Sequence, residues 1–429
     1  MEELNIKTLL LKSAWLNENR ASGVSLPMLR WIVVCEVPVE SARLQALAPE
    51  AKVVHLNAQA EGLAERYTQY ATQLLALIQS VIAPSGNKHS LIQLVVPTTG
   101  DYRMTRGLGA MLKSAQQENS RLVAQTIVVN TSIDAAILAE LISCERAIPA
   151  LDLRFQQENF REVSRLVEVG DLLEGNSEPW SANGVYLITG GAGGIGTIFA
   201  ESIAREVESP SIILIGRSPL DNAKAALLER IRKLGAGAEY HGVDVSNTSA
   251  VFYLVGEILE RHGVLNGILH CAGTLDDKPL IEKDHADVLA AFAPKVRGLI
   301  SLDLATRDIP LDWFVLFSSV AGILGSVGQS DYAAANGFMD DYALYRNEKV
   351  RSGERHGHTL SINWPLWAEG GMQGDAAMRE RIWRGAGLVP LQTAQAVQAL
   401  KQVLAEKMEQ VTVLAGNPER MRSVFLRNE

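Results

Sequence analysis

Val185-Tyr186-Leu187-Ile188-Thr189-Gly190-Gly191-Ala192-Gly193-Gly194-Ile195-Gly196 is the stretch that decides the fold of this chain. Its first four residues are an unbroken apolar run bounded by glycine, which reads as a short buried strand. From Ile195 to Val207 the apolar residues fall at helical spacing. A strand, a glycine-rich turn and a helix in that order predict a dinucleotide site. Glycine lets the chain turn tightly and brings bare backbone up to a pyrophosphate, which rests on the positive helix N-terminus. Glycine-rich turns also serve as plain turns, so it is the flanking strand and helix that make this one specific. The expected contacts are Thr189, Gly190, Gly191, Gly193, Gly194, Ile195 and Gly196.

The next strand, Ser211 to Ile215, ends in Gly216-Arg217-Ser218. A site for NAD places an acidic side chain here to accept from the ribose hydroxyl. Arg217 and Ser218 offer a cation and a hydroxyl donor instead, which suit a 2′-phosphate, so the expected cofactor is NADPH.

Working outward, strands and helices alternate to the end of the chain. Helix 222–234 leads to residues 239–245, helix 250–261 to strand 265–270, one long helix 284–305 to strand 313–317, and helix 332–353 to strand 359–364. The N-terminal half alternates too, with strands at 31–35, 53–56, 91–96 and 124–129 and helices at 63–82 and 107–118. Residues 151–155 and 162–169 are candidate strands closing this unit, and Lys7 to Leu11 is strand-like with no obvious neighbour. No phosphate-binding turn follows any of these strands, since Pro97-Thr98-Thr99-Gly100 is too poor in glycine. The fold class expected is α/β, with two Rossmann-like, doubly wound parallel-sheet subdomains. Residues 1–175 form a structural unit that binds no nucleotide, and residues 176–429 form the catalytic one. The boundary falls in the polar, turn-rich segment 171–179.

Bulk properties narrow the partners. A net charge of −9 argues against nucleic acid or an anionic membrane surface. No stretch approaches the roughly 18 apolar residues of a membrane-spanning helix. Met1-Glu2-Glu3-Leu4 lacks the basic and apolar regions of a signal peptide. Three scattered cysteines predict neither a disulfide framework nor a zinc site, and a cytoplasmic location fits.

Candidate chemistry lies downstream. The strand ending at Phe317 runs into Ser318-Ser319, and thirteen residues beyond Ser319 comes Tyr332, with Asn336 one helical turn further. Ligands in open α/β sheets bind beyond the carboxyl ends of the strands, where Ser319 and the start of this helix lie. Hydride transfer to a carbonyl carbon leaves charge on oxygen, and that oxygen needs a proton. A phenol is a poor acid at neutral pH unless a cation lowers its pKa, and Lys295 is the candidate cation. A serine hydroxyl can hold the same oxygen. Taken singly, Tyr332 could be a packed aromatic, Ser319 a helix cap and Lys295 a surface charge; together, downstream of a nucleotide turn, they point to catalysis.

These residues resemble the ketoreductase domains of modular polyketide synthases, members of the short-chain dehydrogenase/reductase superfamily. The resemblance runs through the glycine turn, Gly216-Arg217-Ser218, Asp244-Val245, His270-Cys271-Ala272-Gly273 and Pro294-Lys295-Val296-Arg297-Gly298. It continues through Phe317-Ser318-Ser319, Tyr332-Ala333-Ala334-Ala335-Asn336 and Ile362-Asn363-Trp364-Pro365-Leu366-Trp367. In the first half, residues 107–122 with their Ala-Gln-Gln-Glu-Asn core are similar to the family's structural subdomain. The resemblance implies reduction of a β-ketoacyl thioester on an acyl carrier protein, among neighbouring synthase domains. Tyr332 is the implied proton donor and Ser319 the polariser, with Lys295 and Asn336 on the cofactor ribose and a relay water. Asp244 and Val245 flank the adenine, and Cys271, Ala272 and Gly273 complete the cofactor site. Leu275-Asp276-Asp277 matches the loop of members giving the D-hydroxy product, and Gln329 agrees. Leu324 stands where L-forming members carry Trp. Trp367 and the lid expected at 370–389 complete the substrate side. Two other readings stay open on sequence alone: a free-standing short-chain dehydrogenase for a small alcohol or ketone, and a non-catalytic structural module.

Overall fold

A single sheet runs through both halves of the chain. The computed structural model describes residues 6–19, 29–83, 89–146, 151–156, 160–170, 179–371 and 374–426, so the boundary expected at 175/176 lies outside the described residues. The first half contributes β1 (Lys7–Asn17), β2 (Leu29–Cys35), β3 (Ala51–Leu56), β4 (Ser90–Pro97), β5 (Leu122–Val129), β6 (Asp152–Phe155) and β7 (Arg161–Glu168). The second contributes β8 (Val185–Thr189), β9 (Ser211–Gly216), β10 (Gly237–Gly242), β11 (Gly267–His270), β12 (Trp313–Ser319), β13 (His358–Trp364) and β14 (Gln410–Gly416). Their spatial order is β10-β9-β8-β11-β12-β13-β14-β1-β7-β6-β5-β4-β2-β3.

Both halves are doubly wound and mostly parallel, as expected, though β6 and β7 pair antiparallel at the end of the first. In the second, the order reverses between β8 and β11, which opens the crevice at the carboxyl ends where a ligand binds. β4 and β8 are buried along their whole length, as continuous apolar runs in the middle of a parallel sheet must be. The seam is what differs from expectation. β1 pairs antiparallel with β14 through residues 7–11 and with β7 through residues 11–17, so one strand belongs to both sheets and makes them one. The unplaced strand at Lys7 to Leu11 finds its neighbour at the far end of the chain.

The halves also share a core. Tyr67, on helix Leu63–Ile82, lies between the rings of Phe292 and Phe338 at centroid distances of 5.4 and 4.8 Å. Its hydroxyl donates to the Ala334 carbonyl at 2.9 Å. A Cβ on Gly107 would sit 2.6 Å from the Gly337 backbone, so these glycines allow two backbones to cross in contact. Helix Ser330–Arg351 is therefore walled in from both sides, with sixteen of its 22 residues buried. A helix buried all round has no polar face for periodicity to reveal.

Two helices depart from the sequence expectation. Residues 107–118 are a 3-10 segment, Asp101–Leu108, running into helix Gly109–Glu118. The long helix expected over 284–305 is interrupted: His285–Phe292 and Gly298–Ala305 flank a π turn at Ala293–Arg297. Pro294 brings no N–H to the helical ladder, and its own carbonyl accepts from His270 instead. Wide turns of this kind are common at functional sites, and this one carries Lys295.

Candidate active site

Glycine builds one end of the site. Gly190 sits at φ +61°, a conformation that favours glycine, and a Cβ there would lie 3.1 Å from the Ala272 backbone at the end of β11. A Cβ on Gly196 would lie 2.5 Å from the Gly190 carbonyl oxygen, so the helix presses directly on the turn. Gly193 caps helix Gly194–Glu206, and among the described residues no side chain forms a cap hydrogen bond there. The N–H groups of its first turn are left for a ligand. Gly191 and Gly194 serve packing: their Cβ atoms would strike the Ile188 carbonyl and the Gly370 backbone.

His270 ties this turn to Lys295. Burial holds its ring far below the usual imidazole range, at about 3, so it is neutral. Nε2 lies 3.0 Å from the Pro294 carbonyl, which only accepts, so Nε2 carries the proton. Nδ1 then accepts from the Thr189 hydroxyl at 2.8 Å, while the same oxygen accepts from the Ala272 N–H. A cavity of about 120 Å³ lies beside the turn, lined by Thr189, Gly190, Arg217, Asp244, Val245 and Gly273 among others. Ala272 also lines it, whereas Ser218 lies outside, its carbonyl held by the Tyr240 hydroxyl.

A larger cavity of about 530 Å³ continues past Gly273 and Lys295 to the expected catalytic groups. Ile195, Cys271, Ser319 and Tyr332 line it. Lys295 is 3% exposed, and its Nζ lies 5.3 Å from the centre of the Tyr332 ring and donates to the Phe317 carbonyl at 3.0 Å. Burial pulls this amine down to about 8. A Cβ on Gly273 would lie 3.0 Å from Lys295 Cε, so that glycine makes room for the lysine stem. Burial pushes the Tyr332 phenol above its usual range, and the groups that draw it back are Ser319 and Asn336. The hydrogen bonds that draw the phenol down come from Ser319 and Asn336, while the Lys295 ammonium stands beside the ring and donates to a carbonyl. Ser319 Oγ also accepts from Ala321 N–H at 3.2 Å, so it is a helix cap as well. Asn336 is fully buried and donates to the Tyr332 carbonyl at 2.7 Å, and its Oδ1 has no partner among the described residues. A buried orphan acceptor marks a place for a water or ligand donor. The open glycine turn, the uncapped helix N-terminus and this orphan oxygen all fit a dinucleotide.

Leu275, Asp277, Leu324, Gln329 and Trp367 line the same cavity. Asp276 does not; its carbonyl accepts from the buried Lys283 at 3.0 Å. Lys283 pairs with Asp331 at 2.9 Å, and Asp331 in turn accepts from the Tyr332 N–H at 2.8 Å. The Trp367 indole N–H is buried without a partner among the described residues. Ala377, Met378 and Arg381 reach the cavity from helix Ala376–Ala386, in the segment expected to form a lid; residues 372–373 of that segment lie outside the described residues.

Sequence reasoning missed what lies beneath Ser319. Asn363 Nδ2 donates to Asp340 at 2.8 Å and lies 3.0 Å from Ser318 Oγ and 3.2 Å from the Ser319 carbonyl. Asp340, one turn beyond Asn336, also accepts from Ser361 at 2.6 Å, and burial pushes its carboxyl up to about 7. An asparagine inside an apolar strand was the available signal, because a buried amide needs partners.

Comparisons with known proteins agree with this geometry. Residues 184–369 match the family model described as the KR domain. The chain is 38% identical over 99% of its length to the polyketide synthase PksN of Bacillus subtilis and 39% identical over 91% to PksL of the same organism. It spans under a tenth of either relative, 8% and 9% of their lengths. Among solved structures, a ketoreductase domain from the bacillaene assembly line superposes with a TM-score of 0.91 at 36% identity, covering 98% of this chain and all of that one. An N-terminal ketoreductase from the macrolactin assembly line superposes at 0.79 with 26% identity, over 98% of this chain and 94% of that one.

Proposed function

The chain belongs to the ketoreductase domains of polyketide synthases, an oxidoreductase family that reduces β-keto groups, and from that premise we propose that it uses NADPH to reduce a β-ketoacyl thioester, delivered by a carrier protein, to the D-hydroxy product. The observation that carries the reading is the convergence of Ser319, Tyr332 and Lys295 in one cavity that runs on towards the glycine turn.

The nicotinamide, when bound, supplies the hydride. The chain's own groups handle the oxygen. As charge develops there, the Ser319 hydroxyl donates to it and Tyr332 delivers the proton. Lys295, with its ammonium over the ring, stabilises the phenolate left behind. Asn336 holds the relay water on its free Oδ1, and that water returns a proton to Tyr332. Burial of Tyr332, Lys295 and Asn336 strengthens each of these interactions.

Arg217, exposed and lining the adenine-end cavity, supports NADPH. Arg217→Ala is expected to raise the NADPH dissociation constant by roughly tenfold to a hundredfold and to leave that for NADH nearly unchanged. Equal losses for both cofactors would remove the 2′-phosphate assignment. For stereochemistry, the hydrogen bond that Asp277 accepts from Gln329 at 2.9 Å supports the D assignment, since it ties the two residues on which that assignment rests. The carrier protein and adjoining synthase domains are the partners in this reading.

The direct test follows NADPH consumption with a β-ketoacyl thioester of a pantetheine mimic, then separates the product enantiomers. Turnover to the D alcohol supports the proposal. An L product would overturn the stereochemical part, and tight NADPH binding without turnover on any β-ketoacyl thioester would overturn the substrate class.

A further inference from the structure

The half of the chain with no nucleotide turn holds the two loops that bracket the substrate. Helix Gly109–Glu118 presents Lys113, Ser114, Gln117 and Glu118, spaced to share one face. Lys113 Nζ donates to the Ile323 carbonyl at 2.8 Å, and Gln117 Nε2 donates to the Leu324 carbonyl at 2.7 Å. Ser114 Oγ accepts from Ser326 N–H at 3.0 Å. Gly325, at φ +75°, lets the loop lie against this helix, because a Cβ there would meet the Ser114 backbone nitrogen at 2.7 Å. Glu118 does something different. One carboxylate oxygen accepts from Gly328 N–H at 2.9 Å, and the other accepts from Leu280 N–H at 2.7 Å. Those two amides belong to different walls of the cavity. Gly328 precedes Gln329 and the tyrosine helix, and Leu280 follows the Leu275-Asp276-Asp277 loop. The walls also touch directly, through Lys278 N–H to the Gly328 carbonyl at 3.0 Å and Gln329 to Asp277.

We propose that Glu118 is a positioning residue for facial selectivity: its carboxylate fixes the spacing between the loop carrying Asp277 and the loop carrying Gln329, and so decides which face of the keto group meets the cofactor. The inference rests on the ketoreductase reading above. A carboxylate suits the task because it accepts from two main-chain donors at once, and charge-assisted bonds of this kind are short and directional. A neutral amide of the same shape keeps one acceptor and turns an N–H₂ towards the other donor, which frees one wall. Glu118 touches neither the cofactor-side cavity nor any of Ser319, Tyr332, Lys295 and Asn336. Its effect therefore falls on geometry and not on proton transfer.

Glu118→Gln tests this, with Gln117→Ala as the second variant because Gln117 is exposed and its loss spares the fold. Two readouts are taken on each variant and on wild type. Amide hydrogen exchange over residues 275–280 and 323–329 reads the clamp without activity. The ratio of product enantiomers reads its consequence. In Glu118→Gln, exchange in at least one of the two segments is expected to accelerate and the enantiomer ratio to fall by about tenfold, while the NADPH dissociation constant stays within about twofold of wild type. In Gln117→Ala, only segment 323–329 should loosen, with a smaller fall in the ratio. Unchanged exchange at both walls overturns the clamp, and faster exchange with an unchanged ratio overturns its role in selectivity. A wild-type L product would overturn only the D assignment, since the variants are scored by loss of purity in either sense. A wild type with no turnover would overturn the ketoreductase reading and the selectivity role with it, and the exchange data would still decide the clamp.

Discussion

Tyr332→Phe is expected to lower kcat by about 10²–10⁴-fold and to leave the NADPH dissociation constant within about twofold. Phenylalanine keeps the ring, which packs against Ala110, Ala321 and Ala333, so the helix and cavity are preserved. Only the hydroxyl is lost, and with it the group placed to give the proton. Burial raises the phenol's pKa, so the hydroxyl stays protonated through neutral pH and is available as an acid. Proton transfer from a positioned side chain is worth this range, whereas a merely packed tyrosine would cost less than tenfold. Steady-state rates from the absorbance of the reduced nicotinamide, with binding measured separately, distinguish the two. A kcat within about threefold of wild type would move the proton donor to water and leave Ser319 as the main polarising group.

Asp303→Ala is expected to cost about 3–5 kcal/mol of folding stability, with activity per folded molecule retained. Asp303 lies on helix Gly298–Ala305 and its side chain is 2% exposed. It accepts from Arg346 at 2.7 Å, from Arg355 at 3.0 Å and from the Tyr342 hydroxyl at 2.8 Å. Arg346 is itself fully buried and its guanidinium also reaches Thr359 and two main-chain carbonyls. Removing the carboxylate leaves that guanidinium charged in the interior without a counterion. Arg355, with 8% of its side chain exposed, loses its ion pair too. Urea denaturation of wild type, Asp303→Ala and Asp303→Asn measures the loss. Asparagine should recover part of it by accepting from one donor. A loss under about 1 kcal/mol in the alanine variant would mean that water reaches both arginines.

Much of the second half could be read from local pattern. Thr189 to Gly196 needs only its own backbone freedom and the flanking periodicities to be recognised. The strands leading to Arg217, Asp244, Cys271 and Ser319 follow from apolar runs bounded by turn residues. The same logic located β2 to β5 to within a few residues. Other features have no local signature. β1 has two partners, β7 and β14, and nothing in an apolar alternation says which strands will lie beside it. The π turn at Ala293–Arg297 hides inside a helical pattern, because it depends on the Pro294 carbonyl meeting His270 from another strand. How Lys295 meets Tyr332 is hidden for a related reason: the direction in which Lys295 points is set by the Phe317 carbonyl, on a strand distant in sequence.

By itself, then, the sequence determined what each segment is able to be: a phosphate-binding turn, a parallel strand, a helix, a proton donor of suitable chemistry. Such properties come from backbone freedom, side-chain period and functional groups within a few residues of one another. Tertiary structure alone decided how those parts bear on each other. It joined two sheets through β1, walled in helix Ser330–Arg351 from both sides and carried Glu118 to two loops of the other half. Each of these is a contact between residues tens to hundreds of positions apart. Their free energy comes from burial and paired donors that exist only once the chain has closed on itself.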